Sequence, residues 1–350
     1  MKNTLYLHIG NHKTGTTSIQ KILANNSEFL AKHDISFFSE NTRDKYVKHG
    51  NTNDWISIEP KQLQNGIGGF VKNVDELASK LVDLPHDTVI ISAEAFSWIF
   101  EKQPIQILHD ALSKHFEQIK IIVYLRRQDE QVISHHQQGS KGPDRPEASF
   151  YGNDPRAIPL NIAHHHYYMN YYERISLWAD IFGDANLIVK IFDKNQLKDH
   201  DVVSDFFSIL NLSKPEQTLE KLNESNGFER TKVGHLLNNH IENKKLHDHL
   251  ISYLGNEGKM LPSKIQAQEY YKHYYESNKK LEKRFNVSFD ETFDKYPDRE
   301  QDIWDETNAN EAISNLLIAI NDYDKRLKSN CLKSFLLCIK YFFRKPKEYL

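Results

Sequence analysis

The sequence contains little cysteine, no long hydrophobic run and no strong excess of either charge. Its 350 residues include only two cysteines, Cys331 and Cys338, which lie close together near the C-terminus. Two such thiols cannot build a disulfide framework, and they are typical of reduced cysteines in a cytoplasmic protein. The apolar N-terminal stretch, about six residues long, is too short for a secretory signal. No segment reaches the ~18 apolar residues that a membrane-spanning helix requires.

The charge balance argues against wholesale binding to nucleic acid. The formal net charge is −3 at pH 7, which leaves room only for a local basic pocket. Hydrophobic residues make up 39% of the chain and charged residues 27%, as in soluble globular proteins. We expect a cytoplasmic protein without a nucleic acid partner. A single domain over residues 1–330 is predicted to precede a C-terminal tail over 331–350.

This predicted tail combines apolar and basic residues, chiefly over 331–347. A helix of this composition could lie on an anionic membrane surface, such as the inner face of the membrane. It could equally dock on the preceding domain. Both alternatives stay open from the sequence.

Short apolar runs alternate with segments of helical periodicity through the first 210 residues. The predicted strands are 4–9, 35–38, 88–92, 120–125 and 186–192, and the predicted helices are 18–33, 74–82, 105–116, 128–138, 166–182 and 202–210. This alternation predicts an α/β fold with a central parallel sheet flanked by helices. Ligands of such sheets bind beyond the carboxyl ends of the strands. From residue 213 onward the pattern is polar and mainly helical.

The stretch GNHKTGTTSIQ, residues 10–20, nearly matches the loop that holds the phosphates of ATP. Gly10 and Gly15 have the spacing of that loop, but Lys13 lies inside it, and Thr16 and Thr17 follow the second glycine. A junction from strand to helix points backbone N–H groups and the positive end of a helix dipole at an anion. The hydroxyls and the lysine add further donors. The loop is therefore predicted to bind a phosphate-bearing ligand.

A second polar cluster follows the predicted strand 120–125, in the stretch YLRRQDEQVIS. Arg126 ends the strand, and Ser134 lies eight residues later on the next helix. A guanidinium and a hydroxyl could together bind a second phosphate group. A solvated arginine and a surface serine are the alternative, which the neighbouring anion-binding loop makes less favourable.

These two motifs resemble those of the sulfotransferases that use 3′-phosphoadenosine 5′-phosphosulfate (PAPS), especially bacterial carbohydrate-type members. The similarity covers about residues 1–210 and implies a sulfotransferase fold of the P-loop NTPase type. It also implies two binding sites. The residues implied for the 5′-phosphosulfate are Lys13, Thr14, Gly15, Thr16, Thr17 and Ser18, and those implied for the 3′-phosphate are Arg126 and Ser134.

Two further features of the nucleotide site follow from the resemblance. The R-K-G-x-x-G element of small-molecule sulfotransferases is absent, which leaves Asn226, Arg230 and Lys232 as weak candidates to close over the nucleotide. A metal ion is not expected. Phosphoryl transfer from ATP usually places Mg²⁺ between phosphates, but a sulfuryl group carries less negative charge.

Transfer of a sulfuryl group also needs a base that takes the proton of the acceptor hydroxyl. Glu94 follows the predicted strand 88–92, where the family holds a catalytic histidine or glutamate. We expect positive charges at the site to lower the pKa of Glu94 and keep it ionised. A structural glutamate paired with a basic residue is the alternative. His49 is a reserve for the base or for acceptor contact, unless it is a surface histidine.

The resemblance implies transfer to a hydroxyl of a carbohydrate, either a surface polysaccharide or a glycolipid. Residues 139–162, rich in glycine, proline and charge, are predicted to form a long loop on the acceptor side. Two alternatives remain. The chain could be a P-loop-like small-molecule kinase, or a non-catalytic scaffold that binds a nucleotide.

Overall fold

The computed structural model describes residues 1–216 and 226–342, with side chains described as far as residue 328. Its strands are β1 (Lys2–His8), β2 (Ile35–Phe37), β3 (Ile56–Ser57), β4 (Phe70–Val71), β5 (Thr88–Ser92), β6 (Phe116–Leu125) and β7 (Leu187–Ile191). Five of them form a parallel sheet in the order β2-β5-β1-β6-β7, and β3 and β4 form a separate antiparallel pair. The predicted α/β fold is confirmed, and β1 lies at the centre of the sheet.

The helices of the first 216 residues flank this sheet. They are α1 (Thr16–Asn25), α2 (Ser27–Lys32), α3 (Val74–Val82), α4 (Lys102–Leu112), α5 (Gln128–Gly139), α6 (Pro146–Tyr151), α7 (His165–Met169), α8 (Tyr171–Phe182) and α9 (Val202–Ile209). The C-terminal region adds α10 (Phe228–Asn238), α11 (Lys244–Ser252), α12 (Lys264–Lys272), α13 (Tyr275–Phe285) and α14 (Glu306–Phe342). The mainly helical C-terminal region is therefore confirmed.

The core fills both faces of the sheet. Because successive residues of a strand point to opposite faces, Ile121 and Val123 join one buried cluster, and Ile122 and Tyr124 join the other. All four side chains are fully buried. A continuous apolar run of this kind is typical of a parallel strand covered by helices on both sides.

Two helices predicted as continuous are each divided in two by an asparagine. The predicted helix 18–33 breaks at Asn26, whose side-chain amide donates to the carbonyl of Ile22. The predicted helix 166–182 breaks at Asn170, whose side chain accepts from the amide of Glu173 and so caps α8. Asparagine competes for backbone hydrogen bonds in this way, and apolar periodicity does not register it.

Two other boundaries were also predicted wrongly. The predicted helix 105–116 begins and ends earlier, because Phe116 is the first residue of β6 and packs its ring in the core. The predicted loop 139–162 contains α6, which begins at Pro146, a residue favoured in the first turn of a helix. Glu147, Phe150 and Tyr151 of α6 are buried, so this part of the segment is packed structure.

The long helix α14 carries the chain into the predicted basic tail. Residues 331–342 continue this helix, but their side chains, and residues 343–347 altogether, lie outside the described residues. Contact of 331–347 with a membrane surface therefore stays a prediction. Among the described helices, none is both long and apolar enough to cross a bilayer.

A pair of buried histidines joins the sheet domain to the helical region and predicts acid lability. His136 of α5 and His235 of α10 stack with ring centroids 4.1 Å apart. Burial lowers the pKa of His136 to about 4, and burial and the charge of His136 hold that of His235 well below 6.5. The unfolded chain therefore binds protons that the folded chain does not, so stability is full above pH 6.5 and falls as the pH drops towards 4.

The expected loss from His136 alone is about 3 kcal/mol of unfolding free energy at pH 4. Urea unfolding at pH 7.5 and at pH 5 tests it, and the expected difference between those two values is about 2 kcal/mol. The variant His235→Phe keeps the ring contact and removes one titrating group, so its stability should depend less on pH. The exposed His49 supplies the control, because His49→Gln should leave the pH dependence of wild type unchanged. An equal pH dependence in all three proteins would contradict this origin of the acid lability.

Candidate functional site

The loop between β1 and α1 is bent by three residues with positive φ. These are Gly10 at 102°, Lys13 at 63° and Gly15 at 79°. Its start stays tied to the sheet, since the amide of Asn11 donates to the carbonyl of Tyr124. The side chain of Asn11 accepts a hydrogen bond of 2.8 Å from the buried guanidinium of Arg174. Turns of this kind form concave anion-binding sites from successive N–H groups.

The amides of residues 13–17 are the main donors of this loop. Within 1–216 and 226–342, none of these five amides donates to an acceptor. The last two open α1, whose first turn contains no acidic residue and no side-chain cap. The positive end of the helix dipole is thus uncompensated, and the backbone is free to bind an anion.

The hydroxyls of the loop divide into two sets. Thr14 and Thr16 are buried, and both donate to the carbonyl of Asn11 at 2.8 and 3.1 Å. Their side chains therefore hold the shape of the loop, and only their amides are available to a ligand. Thr17 and Ser18 are half-buried and make no side-chain hydrogen bond within the described residues, so their hydroxyls remain available.

The atoms around Gly15 leave no room for a side chain, so a larger residue at this position is expected to destabilise the protein. A Cβ atom there would lie 2.7 Å from Cγ1 of Val202. Gly15→Ala is expected to lower the free energy of unfolding by about 2–4 kcal/mol, the sum of left-handed backbone strain and overpacking. Gly66 has nearly the same backbone angles, with φ of 74° and ψ of 9° against 79° and 11° at Gly15, and the atoms nearest its would-be Cβ belong to the exposed ring of Tyr167. Because that ring can turn towards solvent, Gly66→Ala is the matched control and should cost mainly the strain, about 1–2 kcal/mol.

Chemical denaturation of both variants measures the difference. Equal losses in the two variants would show that close packing of the loop against α9 does not limit the side chain at residue 15.

Glu94 lies directly against the loop. It opens a 3₁₀ turn after β5, and a Cβ atom on Gly10 would lie 3.4 Å from the Cα of Glu94. The side chain of Asn53 hydrogen bonds to this carboxyl group. Burial, followed by the charge of Glu147, raises the pKa of Glu94 to about 7, although Lys13 acts in the opposite direction. The expected lowering of this pKa is thus wrong, because burial and a second carboxylate outweigh the nearby cations.

The charges of three other side chains act on Lys13, two from the ends of β5 and β6 and one from α6. Burial lowers its pKa, the charge of Arg126 lowers it further, and the charges of Glu94 and Glu147 raise it. Such effects weaken with distance, so these side chains lie near one another. The carboxyl ends of β1, β5 and β6 lie side by side, because β1 pairs in parallel with both neighbours.

Arg126 and Ser134 lie along one side of α5. Nε of Arg126 donates to Glu130 at 2.9 Å, and Glu130 and Ser134 are four residues apart, so they share a helix face. Ser134 is half-buried and makes no side-chain hydrogen bond to any described residue. Lys295 also pairs with Glu130. Burial and then the charge of Arg127 lower the pKa of Lys295 to about 8.

Lys295 was missed by sequence reasoning, since nothing in the sequence places it beside Arg126. The residues named instead lie elsewhere. Nε of Arg230 donates to the carbonyl of Leu254, and Nζ of Lys232 donates to the carbonyls of Pro155 and Asp302. These bonds join parts of the helical region, and neither side chain lies with Lys13 or Arg126. Asn226 donates nothing to that site either, and its carbonyl accepts from Thr231.

His49 is exposed and makes no hydrogen bond or ion pair with Lys13 or Glu94 among the described residues. It lies in the connection between β2 and β3, just before Gly50, whose amide donates to the carbonyl of Val47. The next residue packs against the first helix, since a Cβ atom on Gly50 would lie 3.1 Å from the carbonyl oxygen of Gln20. A role of His49 as base or in acceptor contact stays a prediction.

A buried group of His12, His135 and Glu147 borders the loop. Their potential ligand atoms lie within 4.8 Å of one another, as in sites that could hold a metal ion. The Nδ1 atoms of His12 and His135 each hydrogen bond to a tyrosine hydroxyl at 3.0 Å. The two rings stack, with centroids 4.8 Å apart.

The charges around this group disfavour a cation. Burial lowers the pKa of His12 well below 6.5, and the charges of Arg174 and Lys13 lower it further. Burial also lowers the pKa of His135, which lies 3.4 Å from the carboxylate of Glu147. We interpret the group as neutral imidazoles that hold an ionised Glu147 beside Glu94.

Comparison with known proteins gives distant matches. No family model matches the chain. It is 26% identical over 202 residues to an uncharacterized protein of Archaeoglobus fulgidus, in a match covering 55% of this chain and 52% of that protein. The chain thus spans about half the length of this curated relative. A solved sulfotransferase from Alicyclobacillus acidocaldarius aligns with a TM-score of 0.44 and 13% identity, over 81% of this chain and 96% of that one.

Proposed function

We propose that the protein is a sulfotransferase that uses PAPS as the donor and a carbohydrate hydroxyl as the acceptor. The observation that carries this proposal is the cradle of free amides at residues 13–17, with Lys13 inside it and Glu94 and Arg126 beside it. The cradle suits the 5′-phosphosulfate, and the side of α5 with Arg126 and Ser134 suits the 3′-phosphate. The resemblance of both motifs to those of sulfotransferases supports the same assignment.

In the proposed reaction, the acceptor oxygen attacks the sulfur atom as the bond from sulfur to the bridging oxygen breaks. Glu94 takes the proton of the attacking hydroxyl. The bonding electrons leave with the bridging oxygen of adenosine 3′,5′-bisphosphate. Lys13 and the loop amides stabilise the negative charge that develops there. We propose that this transfer requires no metal ion, because the cations of the chain surround the leaving group.

The 3′-phosphate would compete with Glu130 for Arg126. Glu130 also pairs with Lys295, so the carboxylate occupies the place of an anion between two cations. A phosphate bound there would displace Glu130 from the two cations. The phosphate would then contact Arg126, Lys295 and the hydroxyl of Ser134. Lys295 is thus a proposed donor-binding residue that comes from the C-terminal region.

A small-molecule kinase is the second candidate, and a nucleotide-binding scaffold is the third. The kinase would place Mg²⁺ between two phosphates, with a carboxylate near the loop to hold it. Glu94 is such a carboxylate, but the charge of Lys13 already acts on it. The acceptor class, a polysaccharide or glycolipid made in the cytoplasm or at the inner membrane face, rests on the resemblance alone.

Thermal unfolding with two ligands tests the proposal. Adenosine 3′,5′-bisphosphate in EDTA is expected to raise the Tm, with about 2.7 kcal/mol of stabilisation at one hundred times its Kd. Arg126→Gln should reduce this shift. The exposed Lys32 provides a control variant, Lys32→Gln, which should not. A shift with ATP and Mg²⁺ but none with the bisphosphate would favour the kinase and overturn the proposal.

A further inference from the structure

The corner between α5 and α6 places two more cations at the site. Lys141 follows α5, and Arg145 directly precedes α6. A chain of contacts connects this corner to the loop. Glu147 of α6 lies 3.4 Å from His135, whose ring stacks on His12, the neighbour of Lys13. The charges agree with this placement, since Lys13 and Arg145 lower the pKa of Lys141 after burial does, and Arg145 acts on Glu94.

These cations lack partners. Across the part of the chain that the structure describes, Lys13, Lys141 and Arg145 form no ion pair, and the Nε atom of Arg145 is buried without a hydrogen bond. The carbonyl of Lys141 accepts from a further lysine, Lys244, at 3.2 Å. Like charges held together destabilise one another, and an unpaired buried donor adds to that cost. An anion bound at this corner would remove both penalties.

Glu94 and Glu147 do not supply enough negative charge to balance Lys13, Lys141 and Arg145. Ionised Glu147 contributes one negative charge, and Glu94 is half protonated near neutral pH. The two carboxyl groups therefore leave the three cations undercompensated. In the proposed function, Lys13 binds the bridging oxygen of the sulfate donor, and Arg126 binds the 3′-phosphate of the donor. Lys141 and Arg145 remain. Arg145 is close enough for its charge to act on Glu94, the proposed base, and Lys141 is close enough to Arg145 to feel its charge.

We propose that Lys141 and Arg145 bind a negatively charged group of the acceptor, the carboxylate or sulfate ester of an acidic saccharide. This inference rests on the proposed function and narrows its acceptor from any carbohydrate to an anionic one. A guanidinium binds a carboxylate or sulfate through paired hydrogen bonds, so Arg145 would also fix the orientation of the sugar. That orientation would present one hydroxyl to Glu94.

Calorimetric titration of two probes tests the inference in protein loaded with adenosine 3′,5′-bisphosphate. A hyaluronan tetrasaccharide carries carboxylates, and chitotetraose is a neutral saccharide of the same length. The acidic probe is expected to bind about 100-fold more tightly, because two hydrogen bonds to charged groups contribute about 10-fold each. Arg145→Gln and Lys141→Gln should each remove about 10-fold of this preference. Arg145→Lys keeps the charge but loses the paired hydrogen bonds, so it should keep only part of the preference.

Two controls separate the possible failures. The affinity for the bisphosphate should change less than about twofold in these variants, which also shows that they fold. Lys32→Gln, a change in an exposed cation of α2, should alter neither affinity. Equal binding of both probes, or binding of neither, would overturn the inference but not the proposed function. A matching loss of bisphosphate affinity would assign the two cations to the donor, and wild-type protein that does not bind the bisphosphate would overturn both.

Discussion

Lys13→Met is expected to reduce kcat for transfer of labelled sulfate from PAPS by about 10²–10³-fold, the effect of removing one donor from a developing negative charge. Methionine keeps the length of the side chain and removes its charge. It also adopts the left-handed backbone no worse than lysine does, since both carry a Cβ atom at this φ of 63°. A panel of neutral and acidic oligosaccharides supplies the acceptors for the assay.

The loss should appear mainly in kcat, because the charge on the bridging oxygen is largest in the transition state. The affinity for adenosine 3′,5′-bisphosphate is expected to fall by much less, about 10-fold, since the amides of residues 13–17 remain. Lys48→Met, at an exposed position outside the loop, is the control. Full activity of Lys13→Met would remove Lys13 from the mechanism, and inactivity of the wild type on every acceptor would favour the scaffold.

The sheet and the place of the site could be predicted from local patterns. Runs such as KIIVYL are apolar on both strand faces, which happens when helices cover both sides of a parallel sheet. The carboxyl ends of such strands lie at one edge, so the strand pattern predicts that Lys13, Glu94 and Arg126 lie near one another. Helix ends were harder, because Asn26 and Asn170 break helices through side-chain hydrogen bonds that periodicity does not reveal.

The rest of the site depends on contacts between distant parts of the chain. Glu147 lies in a segment rich in glycine and proline, which conceals the short helix that buries it. Lys295 reaches Glu130 from the C-terminal region, where no motif marks it. The hydroxyls of Thr14 and Thr16 donate to the carbonyl of Asn11, and only the bent shape of the loop places that carbonyl within their reach. The predicted direction of the pKa shift of Glu94 was wrong for the same reason, because burial and the charge of Glu147 determine this shift.

Glu94→Gln is expected to lower kcat by about 10²–10⁴-fold, the usual contribution of a positioned base. Glutamine has nearly the same shape and can keep the hydrogen bond with Asn53, but it cannot take a proton. Unchanged affinity for adenosine 3′,5′-bisphosphate would show that the site is intact. If the variant keeps wild-type kcat, another group takes the proton, and Glu94 has a structural role.

The pH dependence of the wild type follows from the raised pKa of this base. Only the ionised carboxylate accepts a proton, so kcat/KM should rise with pH through an apparent pKa of about 7 and fall about tenfold per unit below it. Glu147→Gln removes a charge that raises this pKa, so the rise should move to lower pH in that variant. The direction matters, because a merely structural Glu147 would change the rate without moving the profile. A shift to higher pH would show that the loss of Glu147 acts on Glu94 by some route other than its charge.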